Sequence, residues 1–364
     1  MILTAGSGKA CEGVLRVPLQ AEIAGKGHNL QEGADMQKIR WAIVGTGYIA
    51  NRFAAGMCQV EDAQLAAVVS RRAETGQAFA DAFAAEAVFT DFAEMLRLAK
   101  PDVVYLGIPN DLHYGYIHQA LDSGANVLCE KPMVDTVAQM DEVFAKAEKK
   151  GLFLMEGMWT RCFPAVRKVR EWIRGGRIGD VLTVNVSFDI RPDYDDWQTW
   201  KAGIAHTGGA LRDVGIYSLG VASLAFPGAP RNVYSAMHSN GEVDDVCRLL
   251  LDYGNGRTAF AGGAFNQVSD HVARIVGTRG SIEFGPEFWN PSAAVLRADG
   301  TEERFESPFA ATGFQFEIMA VQDALRAGAL ECADFTRAES RTIAQIIETV
   351  RKGWGIVYAA DEAR

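Results

Sequence analysis

Asp213 and Tyr217 stand four residues apart in the run Gly208-Gly209-Ala210-Leu211-Arg212-Asp213-Val214-Gly215-Ile216-Tyr217. On a helix this interval puts two side chains on one face, one turn apart, so a carboxylate and a phenol can address a single ligand. Far upstream, Lys131 occupies Cys129-Glu130-Lys131-Pro132, where an apolar strand-like run meets a proline. A lysine held there cannot swing freely. Free phenol ionises only at about pH 10, and a nearby ammonium favours the phenolate. Carboxylate, phenol and ammonium together would form a set able to move a proton to or from an alcohol oxygen. Each residue also has a plain structural reading: a core tyrosine, a surface aspartate, an exposed loop lysine.

Such a set needs a reaction partner, and the stretch Ile39 to Ala50 suggests one. The apolar run Ile39, Trp41, Ala42, Ile43, Val44 ends at Gly45-Thr46-Gly47, and a helix-compatible segment starts at Tyr48-Ile49. Strand, tight glycine turn and helix let backbone approach a pyrophosphate and aim a helix N-terminus at it, with Ala50 as the small third residue of G-x-G-x-x-G/A. Gly45, Gly47, Tyr48 and Ile49 are therefore expected to bind a dinucleotide. The next strand ends in Ser70-Arg71-Arg72, where an NAD-selective site would carry Asp or Glu. A hydroxyl and two guanidinium groups can cradle a 2'-phosphate instead, so NADP is favoured, with NAD as the alternative. A later strand ends in Gly107-Ile108-Pro109-Asn110, with His113 one turn on. Pro109 and Asn110 can shape a nicotinamide pocket; a lone histidine at a helix start is commonly a capping or packing residue, so His113 is given a minor role.

Repeated strand-helix units position these residues. Gln64 to Val69, Ala87 to Thr90, Val103 to Ile108 and Asn126 to Cys129 read as strands alternating with helical stretches, which implies a parallel sheet covered on both faces. Asp135 or Thr136 can cap the helix carrying Val137, Met140 and Phe144. After Leu152 to Met155 comes Glu156-Gly157-Met158-Trp159-Thr160-Arg161-Cys162-Phe163-Pro164, where a domain boundary is expected: residues 37–158 as a Rossmann domain, residues 159–364 as an α+β domain. Strands at Val181 to Ile190, Asn232 to His238, Val246 to Tyr253, Thr258 to Asn266, His271 to Gly277 and Ala294 to Ala298, mostly without helices between them, predict a large antiparallel open sheet. Two helices close the chain, the second opened by the capping box Thr336-Arg337-Ala338-Glu339.

Composition narrows the class. The 364 residues suffice for two domains, and 36 basic against 46 acidic residues, net charge -10, speak against general nucleic-acid affinity. No run approaches the roughly 20 apolar residues of a membrane helix. Six scattered cysteines without C-x-x-C or zinc spacing suggest a reduced, cytoplasmic setting and no structural metal. Residues 1–36 lack a secretory h-region and read as a poorly ordered extension, with Met36 a candidate natural start.

GTGYIA, the strand end GIPNDLHY and above all CEKP resemble the Gfo/Idh/MocA oxidoreductase family, from about Ile39 to the C-terminus. The family carries D-x-x-x-[HY] after its E-K-P signature. Tyr at the last position, and the stretch Met155 to Pro164, resemble the branch of dimeric dihydrodiol dehydrogenases, NADP-dependent D-xylose dehydrogenases and glucose-fructose oxidoreductase. The resemblance implies a dinucleotide cofactor held in part by Glu130 and Lys131, a homodimer or homotetramer built on the second sheet, and a small polyol substrate. In that frame Tyr217 is the candidate acid/base, Lys131 supplies charge and a hydrogen bond to the reacting oxygen, and Asp213 holds a substrate hydroxyl or orients Lys131. Trp159, Arg161 and Phe163 can line a sugar or diol pocket, with interdomain packing as the competing reading, favoured for Phe163. The polar-aromatic segment Asp189, Arg191, Asp193, Tyr194, Asp195, Asp196, Trp197 and Trp200 suits polyhydroxylated ligands or a solvated loop. Expected reactions are oxidation of an aldopyranose at C1 or of a trans-dihydrodiol. The alternatives are an NAD-dependent inositol or amino-sugar dehydrogenase and, from another class, a non-catalytic NADP-binding sensor.

Overall fold

The computed structural model describes residues 38–191 and 203–362. The N-terminal extension, and Asp193, Tyr194, Asp195, Asp196, Trp197 and Trp200, lie outside the described residues. The first half alternates as expected: β1 (Ile39–Val44), α1 (Tyr48–Met57), β2 (Ala63–Val69), α2 (Ala73–Phe83), β3 (Val88–Phe89), α3 (Phe92–Ala99), β4 (Val103–Leu106), α4 (Asn110–Asp122), β5 (Asn126–Glu130), α5 (Val137–Lys150) and β6 (Leu154–Gly157). The strands pair in parallel in the order β3-β2-β1-β4-β5-β6. The chain winds outward from β1 both ways, so the connections after β1 and β4 diverge and leave a crevice at the carboxyl edge. Alternate residues of β1 enter different cores: Trp41 and Ile43 pack with Phe53 and Tyr105, Ala42 and Val44 with Met95, Leu106 and Ile117. Burial on both faces is why this strand reads as a nearly continuous apolar run.

The second sheet has the order β14-β13-β12-β11-β7-β10-β9-β8. Its strands are β7 (Val181–Asp189), β8 (Asn232–Ser239), β9 (Asp244–Gly254), β10 (Arg257–Ala264), β11 (Ala273–Gly277), β12 (Gly280–Phe284), β13 (Ala293–Ala298) and β14 (Thr301–Glu306). All neighbours are antiparallel except β7 and β10. Sequence patterning did not anticipate β12 or β14. The first is short and opens on glycine; the second, Thr-Glu-Glu-Arg-Phe-Glu, is a charged edge strand whose polar side chains discourage further pairing.

Helix α6 (Pro164–Arg174) follows the first sheet, α7 (Ile216–Ala225) packs on the second with every residue buried, and α8 (Phe314–Arg326) and α9 (Arg337–Gly353) come last but for one short helix, α10 (Ala359–Glu362). Thr136 caps α5 by accepting from the Gln139 N–H, and Thr336 and Glu339 complete the capping box of α9. The other face of the second sheet exposes Tyr234 and Phe260, which flank Leu250. Cys129, Cys162, Cys247 and Cys332 are free and buried. No helix among the described residues is long and apolar enough to cross a membrane.

Candidate active site

The two glycines of the first turn differ in what holds them: the fold itself requires only Gly45. Gly45 has φ +100°, and a Cβ there would stand 2.4 Å from the Gly107 carbonyl oxygen. This close approach of the β1 and β4 ends excludes any side chain. At Gly47 a Cβ would meet nothing within 4 Å, so its absence relieves no packing conflict and leaves open space at the start of α1. That helix has no side-chain cap and no acidic residue in its first turn, leaving N–H groups for an anion. Tyr48 is exposed beside the turn, with its hydroxyl accepting from Arg52 at 3.1 Å. The Ser70 hydroxyl is buried against Thr75 (2.7 Å) and Thr46 (3.3 Å), so it braces the turn against the β2 end. Arg71 and Arg72 are exposed just beyond it, without an ion-pair partner among the described residues. These features fit a phosphorylated dinucleotide.

Pro109 caps α4 and Asn110 begins it, both half-buried at the carboxyl end of β4. His113, one turn on, is fully buried: Nδ1 lies 3.1 Å from the Pro132 carbonyl and Nε2 3.0 Å from that of Ile108. Its expected contact with the cofactor is therefore corrected. Burial outweighs the two carbonyls and lowers its pKa, and the ring ties the loop after β4 to the loop after β5. Glu130 also turns inward, accepting from the Tyr105 hydroxyl at 2.6 Å, so its side chain is engaged within the sheet. Glu156, buried on β6, accepts the Met133 N–H at 2.9 Å and is also bonded by Ser340. Between them, His113 and Glu156 fix the loop that presents Lys131.

Across the cleft, one wider π-turn spans Leu211–Gly215 before α7 begins at Ile216. Such interruptions recur where a helix is bent to a task. Three contacts hold it: Asp244 accepts the Leu211 N–H at 2.6 Å, Arg212 pairs with Asp135 at 2.8 Å, and the Arg212 guanidinium lies 5.1 Å over the Tyr358 ring. This places Lys131 Nζ 2.6 Å from the Asp213 carbonyl oxygen and 3.0 Å from its Oδ1. The same ammonium stands 4.8 Å from the centre of the Tyr217 ring. Burial disfavours the Lys131 ammonium, but the neighbouring Asp213 and Tyr217 outweigh it and hold the pKa above the usual lysine value. The Tyr217 phenol is pushed up to about 12, chiefly by burial, with Lys131 and the bond from Trp159 pulling down. Lysine thus favours phenolate as expected, but does not overcome desolvation. At neutral pH Tyr217 holds its proton.

Trp159 lies on a short 3-10 helix, Trp159–Cys162. Its indole N–H donates to the Tyr217 hydroxyl at 3.1 Å, and its ring stacks on Phe314 at 4.4 Å. The other two residues expected to line the pocket are used elsewhere. Arg161 is 2% exposed and donates to Gly220 O (3.1 Å), Ser223 Oγ (2.9 Å) and Glu339 Oε1 (2.5 Å). It is a buried cross-link between the 3-10 helix, α7 and α9, a correction to its assignment as a substrate ligand. Phe163 is fully buried against Trp159, Phe309 and Phe316, in line with the packing reading. Asp189 is buried and held by Ser187, Arg248 and Gln267, while Arg191 is exposed. Arg161→Ala is expected to lower stability by about 3 kcal/mol, read as a denaturant midpoint, with substrate KM barely changed. A raised KM at unchanged stability would restore the substrate role.

Some neighbours of the site went unnoticed in the sequence. Phe188 packs 5.6 Å from the Tyr217 ring and stacks at 3.7 Å on Trp289, an aromatic residue in a Gly/Pro/Asn-rich loop. Arg52 lies 5.6 Å over Trp159, one turn along α1 from the glycine turn. The isolated tryptophan in a polar loop was the one available signal.

Comparison with known proteins bears on the family of the chain. Residues 39–158 match the model of the oxidoreductase family with an NAD-binding Rossmann fold, and residues 166–283 match the GFO/IDH/MocA C-terminal domain. The chain is 31% identical over 342 residues to trans-1,2-dihydrobenzene-1,2-diol dehydrogenase of Sus scrofa, covering 89% of this chain and 99% of that protein. Among solved structures it is similar to aldose-aldose oxidoreductase from Caulobacter crescentus complexed with glycerol (TM-score 0.78, 26% identity, 90% of this chain and 99% of that one). It is also similar to a 3-ketoreductase from Actinomadura kijaniata in complex with NADP and TDP-benzene (TM-score 0.76, 26% identity, 87% and 98%). With an NAD-binding Rossmann domain, an open antiparallel sheet and relatives that are dehydrogenases and oxidoreductases over nearly the whole length, the chain belongs to the Gfo/Idh/MocA oxidoreductase family.

Proposed function

We propose that the protein is an NADP-dependent dehydrogenase acting on a CH–OH carbon of a sugar or cyclic diol, with Tyr217 as acid/base. The observation that carries this reading is the single ammonium of Lys131 bridging Asp213 and the face of Tyr217. NADP, held by the turn around Gly45 and Gly47 and by Arg71 and Arg72, supplies the hydride acceptor when bound. Tyr217 accepts the hydroxyl proton in oxidation and returns it in reduction. Lys131 and the Trp159 N–H stabilise the phenolate, and Asp213 keeps Lys131 charged and aimed. Because Tyr217 rests protonated, reduction of a carbonyl finds its acid ready. Oxidation draws on the small deprotonated fraction and gains as pH rises.

The diol dehydrogenase and aldose oxidoreductase relatives support a carbinol flanked by a second hydroxyl. The same reading divides the chain into a cofactor domain over residues 37–158 and a substrate domain over residues 159–364. The exposed Tyr234 and Phe260 support packing of the second sheet against another copy.

A screen of aldoses, inositols and trans-dihydrodiols with both cofactors tests the assignment. Turnover is expected with NADP and an aldose or dihydrodiol, and Arg71→Ala with Arg72→Ala should raise the NADP KM about tenfold more than that for NAD. Equal effects on the two cofactors would remove the NADP assignment. Cofactor binding without turnover of any substrate would leave a sensor.

A further inference from the structure

Cys162 and Cys332 have no part in the chemistry above, yet they meet. Cys162 ends the 3-10 helix that carries Trp159; Cys332 lies in the segment between α8 and α9, in an isolated bridge with Phe335. Both are buried, and their sulfurs and an Asp334 carboxylate oxygen all lie within 4.8 Å of one another. With the two sulfurs this close, Cys162 draws Cys332 down to about 7 against the effect of burial, while Cys332 and burial push Cys162 up. The pair is therefore asymmetric, with Cys332 the more readily ionised of the two.

Three such groups could also suggest a metal ion. The carboxylate argues against one, because Arg167 Nε donates to Asp334 Oδ2 and Arg170 to Oδ1, each at 2.8 Å. Two guanidinium groups satisfy the oxygens that a cation would need, and add positive charge where it would sit. Positive charge beside a thiolate instead favours nucleophilic sulfur. Access is short: Glu331 and Ala333, on either side of Cys332, are exposed.

We propose that Cys162 and Cys332 form an oxidisable dithiol, closed to a disulfide by hydrogen peroxide, that couples the oxidation state of the chain to the position of Trp159. The Cys332 thiolate attacks the peroxide: an S–O bond forms, the O–O bond breaks, and the departing hydroxide is protonated to water. Cys162 sulfur then attacks the sulfenic sulfur, forming S–S and breaking S–O, and its proton leaves with the hydroxide as a second water. Two thiols lose two electrons and the peroxide gains them. The sulfurs must close to about 2.05 Å, which moves the end of a helix of four residues, Trp159–Cys162, whose first residue donates to Tyr217. The effect on turnover rests on the catalytic reading above; formation of the disulfide does not.

The full chain, reduced and then treated with hydrogen peroxide, is digested without reductant and mapped by mass spectrometry. A Cys162–Cys332 cross-linked peptide is expected, two hydrogens lighter than the reduced pair and reversed by dithiothreitol. It should be absent from Cys162→Ser and from Cys332→Ser, with alanine variants as replacements if either fails to fold. The bond closes a loop of roughly 170 residues, so the oxidised form should melt a few degrees higher. If a substrate turns over, kcat should fall severalfold on oxidation and recover on reduction. Sulfinic acid at Cys332 without the cross-link, or a cross-link formed only after denaturation, would overturn the proposal. So would stoichiometric zinc that protects both thiols. A cross-link that leaves kcat unchanged would overturn the coupling to Trp159.

Discussion

Tyr217→Phe is expected to lower kcat/KM roughly 1,000-fold, about 4 kcal/mol of transition-state stabilisation, while cofactor affinity stays within about twofold. The substitution removes one oxygen from a buried ring and leaves its packing against Phe188. The loss should fall on kcat, because the proton moves only in the chemical step. It also leaves the Trp159 N–H without its partner, a stability cost of about 1 kcal/mol, far smaller than the kinetic effect. Steady-state kinetics beside a binding titration separate the two. A variant retaining a tenth or more of wild-type kcat would transfer the proton to another group.

Lys131→Met is expected to cost roughly 100- to 1,000-fold in kcat/KM for oxidation, with a distinctive pH profile. Burial raises the Tyr217 pKa and the Lys131 charge opposes it. Removing the charge therefore moves the phenol higher still, and the phenolate fraction at any working pH shrinks. The alkaline rise of kcat/KM for oxidation should shift to higher pH, and Lys131→Arg should recover part of it. Methionine also takes the Lys131 charge away from Asp213, whose side chain is only 14% exposed, so a lower melting temperature is expected as well. An unchanged pH profile at reduced rate would make Lys131 a positioning group without influence on the proton.

How far the sequence exposed this site can be read residue by residue. The strand-turn-helix at Gly45 to Ala50 was legible because it is local: one apolar run, one turn chemistry, one helix start. Asp213 and Tyr217 were legible through their interval, although the π-turn that shapes their presentation has no sequence signature. Lys131 was legible through its proline neighbour. Arg161 and His113 misled because residue type shows only that donors exist, whereas their function depends on carbonyls brought close by the fold, such as Gly220 for one and Pro132 for the other. Trp159 was read as an apolar wall and donates a hydrogen bond instead, a role set by rotamer and by the position of α7. The supports at Glu156, Arg212 and Asp244 are tertiary contacts between distant segments. β14 escaped notice because an edge strand covered in charge carries no alternating apolar signal.

The most direct test follows the hydrogen atom itself. An aldose labelled with deuterium at C1, or a trans-dihydrodiol labelled at its carbinol carbons, is turned over with NADP, and the reduced cofactor is recovered for mass analysis. Deuterium carried on the NADPH from wild type, with roughly 1,000-fold less deuterated NADPH formed in the same time by an equal amount of Tyr217→Phe, is the expected result. NADPH free of deuterium, or equal amounts of deuterated NADPH formed by the two proteins, would contradict the assignment of a Tyr217-dependent dehydrogenase.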